Sequence, residues 1–234
     1  MLAVIGAMEQ EVALIRDAMD VAQETVHAGI TVYRGDFRGA DVALAQCGIG
    51  KVNAAICTQM LIDLYAPNKL IFSGVAGGLM PNMRVGDLIV AAHLVQFDVD
   101  LTAFGRRHGE LPDADRMIES DPALVRAAAE AFDAVFDSAA GAPNIMIGTV
   151  VSGDAFIKDT DRLKWLQREF GALATEMEGA AVGHTCQLSD LPFVVVRGLS
   201  DTADENASDD FQANLETVCR HSFALMERLI PAAA

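Results

Sequence analysis

Glu176 and Glu178 stand in an otherwise apolar run of small residues, Ala174 to Val182, reading ATEMEGAAV. Carboxylates are costly to bury unless paired or hydrogen-bonded, so two of them in a buried-looking segment call for partners. If residues 176–178 end a strand, the period of two puts both carboxylates on one face and Met177 on the other. Arg197 is the one cation inside the continuous apolar run Phe193–Leu199, and it too must have an anionic or strongly hydrogen-bonding partner. Glu11 and Asp201 complete the set of charged groups at element ends. Each member has a structural explanation of its own. Glu11, with Glu9, suits the first turn of a helix, where the dipole favours negative charge. Arg197 can pair with a core glutamate, and Asp201 can cap a turn in the Ser-Asp-Thr run. Together, carboxylates in different surroundings suit acid–base hydrolysis by an activated water.

Other chemistries fail on named residues. In the glycine-containing segment Cys47–Ala55 (CGIGKVNAA), a phosphate-binding loop would need its first glycine at Ala45 and a hydroxyl at Val52. A dinucleotide fingerprint would need its third glycine at Asn53. No cofactor is therefore expected. The five histidines are far apart and pair with no cysteine cluster, so no metal is expected either. Cys47, Cys57, Cys186 and Cys219 show no C-x-x-C spacing and read as reduced thiols of a cytoplasmic protein. Lys plus Arg number 17 against 33 Asp plus Glu, a formal charge of −16 that repels nucleic acid and anionic membranes. The N-terminus lacks a basic signal-peptide region, and no apolar run is long enough to span a bilayer.

The elements that must position these groups are legible as periodicities. Leu2–Ala7 reads as a buried strand, and Val12, Leu14, Ile15 and Met19 give helical spacing from Glu9 to Met19. Ile30–Phe37 and Asp41–Cys47 alternate around Arg38-Gly39 as a hairpin. A helix follows to Tyr65, then a strand Lys69–Val75 running into the glycine turn Gly74–Leu79, where a ligand can approach the backbone closely. Val85–Asp98 is strand-like. The polar segment 102–117 reads as a long loop carrying a conspicuous Phe104. Asp121 and Pro122 start an alanine-rich helix to Phe136 as N-cap and first helical residue. Ile145–Val151 is a strand after which Ser152-Gly153-Asp154 leaves Phe156 projecting. A helix Asp161–Phe170, the strand Phe193–Leu199, an acidic turn region and a helix Phe211–Ile230 complete the chain. The interleaving predicts one α/β domain over residues 1–234, with a mixed, largely parallel central sheet flanked by helices. Its ligand site belongs at the carboxyl ends of the strands.

These segments resemble the bacterial 5′-methylthioadenosine/S-adenosylhomocysteine nucleosidase family, in the purine nucleoside phosphorylase/uridine phosphorylase superfamily. The resemblance is carried by Ile5–Val12, Cys47–Ala55, Gly74–Leu79, Val85–Val90, Leu101–Gly105, Val151–Ile157, Thr175–Ala181 and Pro192–Asp204, in order over nearly the whole chain. It implies a nucleoside phosphorylase-like fold and cleavage of an N-glycosidic bond by water. It implies Glu11 as the general base, with Arg197 helping to place the water, and Asp201 as the acid that protonates N7 of adenine, supported by Ser200. Glu178 would hold the ribose hydroxyls, with Met177 against the sugar and Glu176 left as a structural acid. Phe156 would stack on the base and the Ile157 backbone would read its edge, over the approachable backbone of Ala76 and Gly77. Met8, Ile49 and Phe211 would wall the 5′-alkylthio group. Leu101, Phe104 and Pro112 would close the pocket of a neighbouring subunit, implying a homodimer. Many family members have serine where this chain has Val75.

Rival readings are a phosphorylase of the same fold, a futalosine-type hydrolase with another base or 5′ substituent, and a nucleoside sensor without turnover. A phosphorylase must hold inorganic phosphate, which a carboxylate at position 11 would repel. A sensor would need only the pocket, so the joint presence of Glu11, Glu178, Arg197 and Asp201 argues against it.

Overall fold

A computed structural model describes residues 1–136, 141–203 and 207–234. Its strands are β1 (Leu2–Gly6), β2 (Asp20–His27), β3 (Ile30–Phe37), β4 (Ala40–Gln46), β5 (Lys69–Gly78), β6 (Leu88–Gln96), β7 (Ile118–Glu119), β8 (Ile145–Ser152), β9 (Ala172–Glu176) and β10 (Phe193–Asp201). The helices are α1 (Glu9–Asp17), α2 (Lys51–Tyr65), α3 (Pro122–Phe136), α4 (Thr160–Phe170), α5 (Gly179–Leu188) and α6 (Ala207–Ala233). Residues 204–206, in the middle of the acidic run after β10, lie outside the described residues, and with them Asp204.

One 10-stranded mixed sheet organises the fold, in the order β10-β6-β8-β9-β5-β1-β4-β3-β2, with β7 on β6. The sheet is not simply open. β10 also pairs with β5, so β10, β6, β8, β9 and β5 form a closed ring from which β1, β4, β3 and β2 extend. Pairing is parallel for β1 with β4 and β5, β5 with β10, and β8 with β6 and β9. It is antiparallel for β10 with β6, β5 with β9, and along the hairpin strands β2, β3 and β4.

Helices cover both faces, which is why the central strands are apolar throughout rather than alternating. Ala3, Ile5, Leu70, Phe72 and Val195 pack toward α2 and α5. Their neighbours Leu2, Val4, Ile71, Val194 and Val196 point the other way, toward α1, α3 and α6. Asp121 caps α3 as expected, its Oδ1 accepting from the Ala123 and Leu124 amides at 2.9 Å each.

The differences from the sequence reading have physical causes. β2 is exposed along most of its length, so it lacks the apolar alternation that would mark it. β7 is only two residues long. The expected glycine turn is instead the second half of β5, which continues through Gly78 between β10 and β9. β9 ends at Glu176, and Glu178 is the N-cap of α5. The two carboxylates are therefore not alternate residues of one strand face.

Candidate active site

The carboxyl ends of β1, β4, β5, β8, β9 and β10 open onto one pocket. Most of the expected side chains line it: Met8, Glu11, Ile49, Ala76, Gly77, Phe156, Ile157, Met177, Glu178, Ser200, Asp201 and Phe211. Ala7, Val75, Ala155, Thr175 and Glu176 line it as well. Glu176 was marked in the sequence by its charge, whereas Ala7, Val75, Ala155 and Thr175 were signalled only by their position inside or beside the motifs.

Glu11 is a helix-start acid that also faces the pocket. It lies in the first turn of α1, and its Oε2 accepts from the Ala7 and Met8 amides at 2.6 and 2.9 Å, satisfying donors a helix start leaves open. Its Oε1 accepts from the Val75 amide of β5 at 3.0 Å, which ties it into the pocket wall. Glu11 is only 8% exposed. Burial raises its pKa above the ordinary glutamate value, against the lowering pull of Arg197 and the three amides.

Beneath the pocket, the fully buried Arg197 guanidinium lies 4.0 Å from the Phe72 ring centroid and serves several carboxylates. Its Nη2 bonds to Glu176 Oε2 and stands 3.6 Å from Glu178 Oε2. Burial would lower the arginine pKa, but Glu176, Glu178 and Glu11 more than offset it and raise it. Gly74 makes room for this arrangement, since a Cβ there would sit 1.8 Å from Arg197 Nη1 and 2.9 Å from Glu11 Oε1.

The two glutamates of the opening segment divide their work. Glu176 Oε2 accepts from the Glu178 and Gly179 amides at 3.0 and 2.7 Å, while its Oε1 bonds to the Ser152 hydroxyl. With Arg197 on the same Oε2, Glu176 is bound on both oxygens and anchors the start of α5. Glu178 is less committed. Its Oε1 accepts from the Gly50 amide at 2.8 Å. Burial first, then repulsion from Glu176 and Glu11, pushes its pKa up to about 7, although Arg197 and the Gly50 amide pull it down.

Asp201 ends β10 on the other side of the pocket. Its Oδ2 accepts from the Ser200 hydroxyl at 2.8 Å and its Oδ1 from the Ala203 amide at 2.9 Å. Gly77 leaves space for it, because a Cβ there would meet Asp201 Oδ1 at 2.8 Å. Phe156 and Phe211 meet edge to face with ring centroids 6.1 Å apart, and Phe156 stays 48% exposed. Val75, Val218 and Cys219 form a small buried cluster against Met8, Phe211 and Leu215, so one wall of the pocket is apolar.

Four expected residues are placed elsewhere. Arg197 does not line the pocket and reaches it only by pairing with Glu176 and Glu178, which do. Leu101, Phe104 and Pro112 lie outside the pocket of their own chain. Phe104, in the short 3-10 turn Thr102–Phe104, is 82% exposed.

Known proteins are similar to this chain in sequence and in fold. Residues 1–231 match the model of the Phosphorylase superfamily. The chain is 40% identical over 225 residues to a 5′-methylthioadenosine/S-adenosylhomocysteine nucleosidase of Geobacillus kaustophilus, covering 96% of this chain and 94% of that protein. A crystal structure of the nucleosidase of that name from Neisseria meningitidis, in complex with methylthio-immucillin-A, superposes with a TM-score of 0.94 at 35% identity, covering 99% of this chain and 98% of that one. The futalosine hydrolase of Helicobacter pylori superposes with a TM-score of 0.92 at 33% identity, covering 99% and 97%. The chain belongs to the phosphorylase superfamily and, within it, to the 5′-methylthioadenosine/S-adenosylhomocysteine nucleosidase family.

Proposed function

We propose that this protein hydrolyses the N-glycosidic bond of 5′-methylthioadenosine and S-adenosylhomocysteine, releasing adenine and the 5-thioribose product. The observation that carries the reading is the placement of Glu11, Glu178 and Asp201 around one pocket with an apolar wall. Breaking the C1′–N9 bond leaves positive charge on the ribose and negative charge on adenine. Asp201 delivers a proton to N7, so that adenine departs neutral. Glu11, its pKa raised by burial, orients a water and takes its proton as the oxygen bonds to C1′. Water adds on the face opposite adenine, with inversion. Glu178 accepts from the ribose hydroxyls beside Met177, and Arg197 keeps the neighbouring carboxylates in place from below. Phe156 stacks on adenine, the Ile157 backbone reads its edge, and Met8, Ile49 and Phe211 contact the alkylthio group.

Water is favoured over phosphate for a geometric reason. The Ala7, Met8 and Val75 amides, which would make an anion site at the start of α1, are already occupied by the Glu11 carboxylate. Incubation with 5′-methylthioadenosine, with and without inorganic phosphate, is expected to release adenine at equal rates. Phosphate-dependent release would identify a phosphorylase, and binding with no adenine released would identify a sensor. Futalosine in a parallel incubation tests the reading suggested by the Helicobacter neighbour.

The pocket is completed by a second copy of the chain, whose Leu101, Phe104 and Pro112 lie over it. The exposed Phe104 supports this, as do the exposed Ile49, Val52 and Ile56 at the start of α2. Sedimentation is expected to give a dimer, with Phe104→Ala raising KM while the dimer persists. A monomer with full activity is the contrary result. Residues 1–234 form one nucleosidase domain in this reading, and four free, buried cysteines fit a cytoplasmic setting.

A further inference from the structure

The start of α2 has no side-chain cap of its own, because its N-cap is Gly50, at φ +98°. Its open amides are met from two distant parts of the chain. The Gly50 amide donates to Glu178 Oε1 at 2.8 Å, and the next amide, of Lys51, donates to Asp154 Oδ1 at 2.8 Å. Asp154 is held in turn, its own amide donating to Asp98 Oδ2 at 3.1 Å. Asp98 Oδ1 accepts from Lys51 Nζ at 2.6 Å, which closes a ring of Lys51, Asp154 and Asp98. Lys51 Nζ also reaches Gln96 Oε1 at 3.3 Å. Each member of the ring uses two different atoms, so none can shift without disturbing the other two. Gly50 is packed against the ring as well, since a Cβ there would lie 3.2 Å from Asp154 Oδ1.

The ring joins the two halves of the pocket. One residue before Lys51 is the amide that anchors Glu178, and two residues after Asp154 is Phe156. We propose that Asp154 is a positioning residue: by holding the Lys51 amide while its own amide is held by Asp98, it sets the spacing between the Gly50–Glu178 contact and the Phe156 ring. The proposal deepens the nucleosidase reading, in which Glu178 holds the sugar and Phe156 the base. Asp154 touches no substrate in this arrangement. It acts through the backbone of Gly50 on one side and of residues 155–156 on the other.

Loss of the ring has a signature that general loosening would not produce. The Gly50 amide stabilises the charged form of Glu178, whose other charged and titratable neighbours are Glu176, Arg197, Glu11 and Cys47. A Gly50 amide that drifts away therefore leaves the Glu178 carboxyl titrating at a higher pH.

The test compares Asp154→Ala with Asp154→Asn, which keeps an oxygen to accept from the Lys51 amide. Kinetics with 5′-methylthioadenosine are combined with a substrate-free carbon-13 titration of the Glu178 carboxyl, assigned with Glu178→Gln. For Asp154→Ala, KM is expected to rise about tenfold, the loss of one well-placed hydrogen bond, with a smaller change in kcat. The Glu178 titration is expected to move up by about half a pH unit, and Asp154→Asn is expected to stay near wild type on both readouts. Wild-type KM and an unmoved Glu178 titration in Asp154→Ala would overturn the proposal. So would equal losses of activity and thermal stability in both variants with the titration unmoved. A wild-type protein that releases no adenine would sink the nucleosidase reading alone, because the Glu178 titration judges the ring without substrate.

Discussion

Asparagine at position 201 is expected to lower kcat by about 10²–10⁴-fold, the range for removing a positioned general acid, while substrate affinity changes little. The carboxyl and the carboxamide are nearly the same size, and the amide can keep contacts to Ser200 and to the Ala203 amide side of the turn. What it cannot do is hand over a proton as the glycosidic bond breaks. The split between kcat and binding is the informative part. Calorimetric titration with 5′-methylthioadenosine should give a Kd near that of a slowly turned-over substrate on the wild type, with adenine release all but lost. Release at a near wild-type rate would remove Asp201 from the proton-donor role, and loss of binding in step with rate would make it a ligand for the base only.

Replacing Arg197 by methionine is the second large effect, and it strikes stability before chemistry. Arg197 is the cation for Glu176, with Glu178 and Glu11 beside it, all in a buried setting. Removing one partner of a buried ion pair typically costs about 3–5 kcal/mol, because the other charges are left without compensation. For a chain of this size that corresponds to a fall in Tm of roughly 10 °C. The deficit must depend on pH. Glu11 and Glu178 already have folded-state pKa values above the unfolded value. Without the guanidinium these rise further. The folded state then holds protons that the unfolded state has released, so stability is lost as pH rises through the raised values and regained as it falls. Urea unfolding of Arg197→Met at about pH 8 and about pH 5.5 should show the larger deficit at the higher pH. An equal deficit at both would mean that the arginine contributes packing on Phe72 and little charge compensation. Combining Arg197→Met with Glu176→Gln should cost less than the two single changes added together, since the pair is in direct contact.

Much of this site was legible before any fold was known. A lone arginine in a β-branched run needs an anion, and Glu176 is that anion. Asp121 before Pro122 marks a helix start, and the structure has it capping α3. The acid pair in ATEMEGAAV demanded an explanation for buried charge, and both carboxylates are buried. The alternation argument failed on its detail. It assumed that residues 176–178 continue one strand, whereas the chain turns after Glu176 and delivers Glu178 as the first residue of a helix cap. A period of two cannot reveal where a strand stops when the next residues are small and suit either conformation. The exposed β2 escaped notice for the complementary reason, as periodicity reports burial and this strand has little.

The division of labour between the two glutamates is where sequence and tertiary structure part. Residue types alone determined that carboxylates and an arginine had to be reconciled within an α/β fold, because uncompensated buried charge is too costly to leave. Only the folded chain decided which carboxylate is bound on both oxygens and which holds a single amide. That choice depends on β5, which pairs with both β9 and β10, bringing Arg197 to Glu176, and on Gly50, 128 residues away in sequence, bringing a single amide to Glu178. Strand order and register create those meetings, and local spacing carries no record of them.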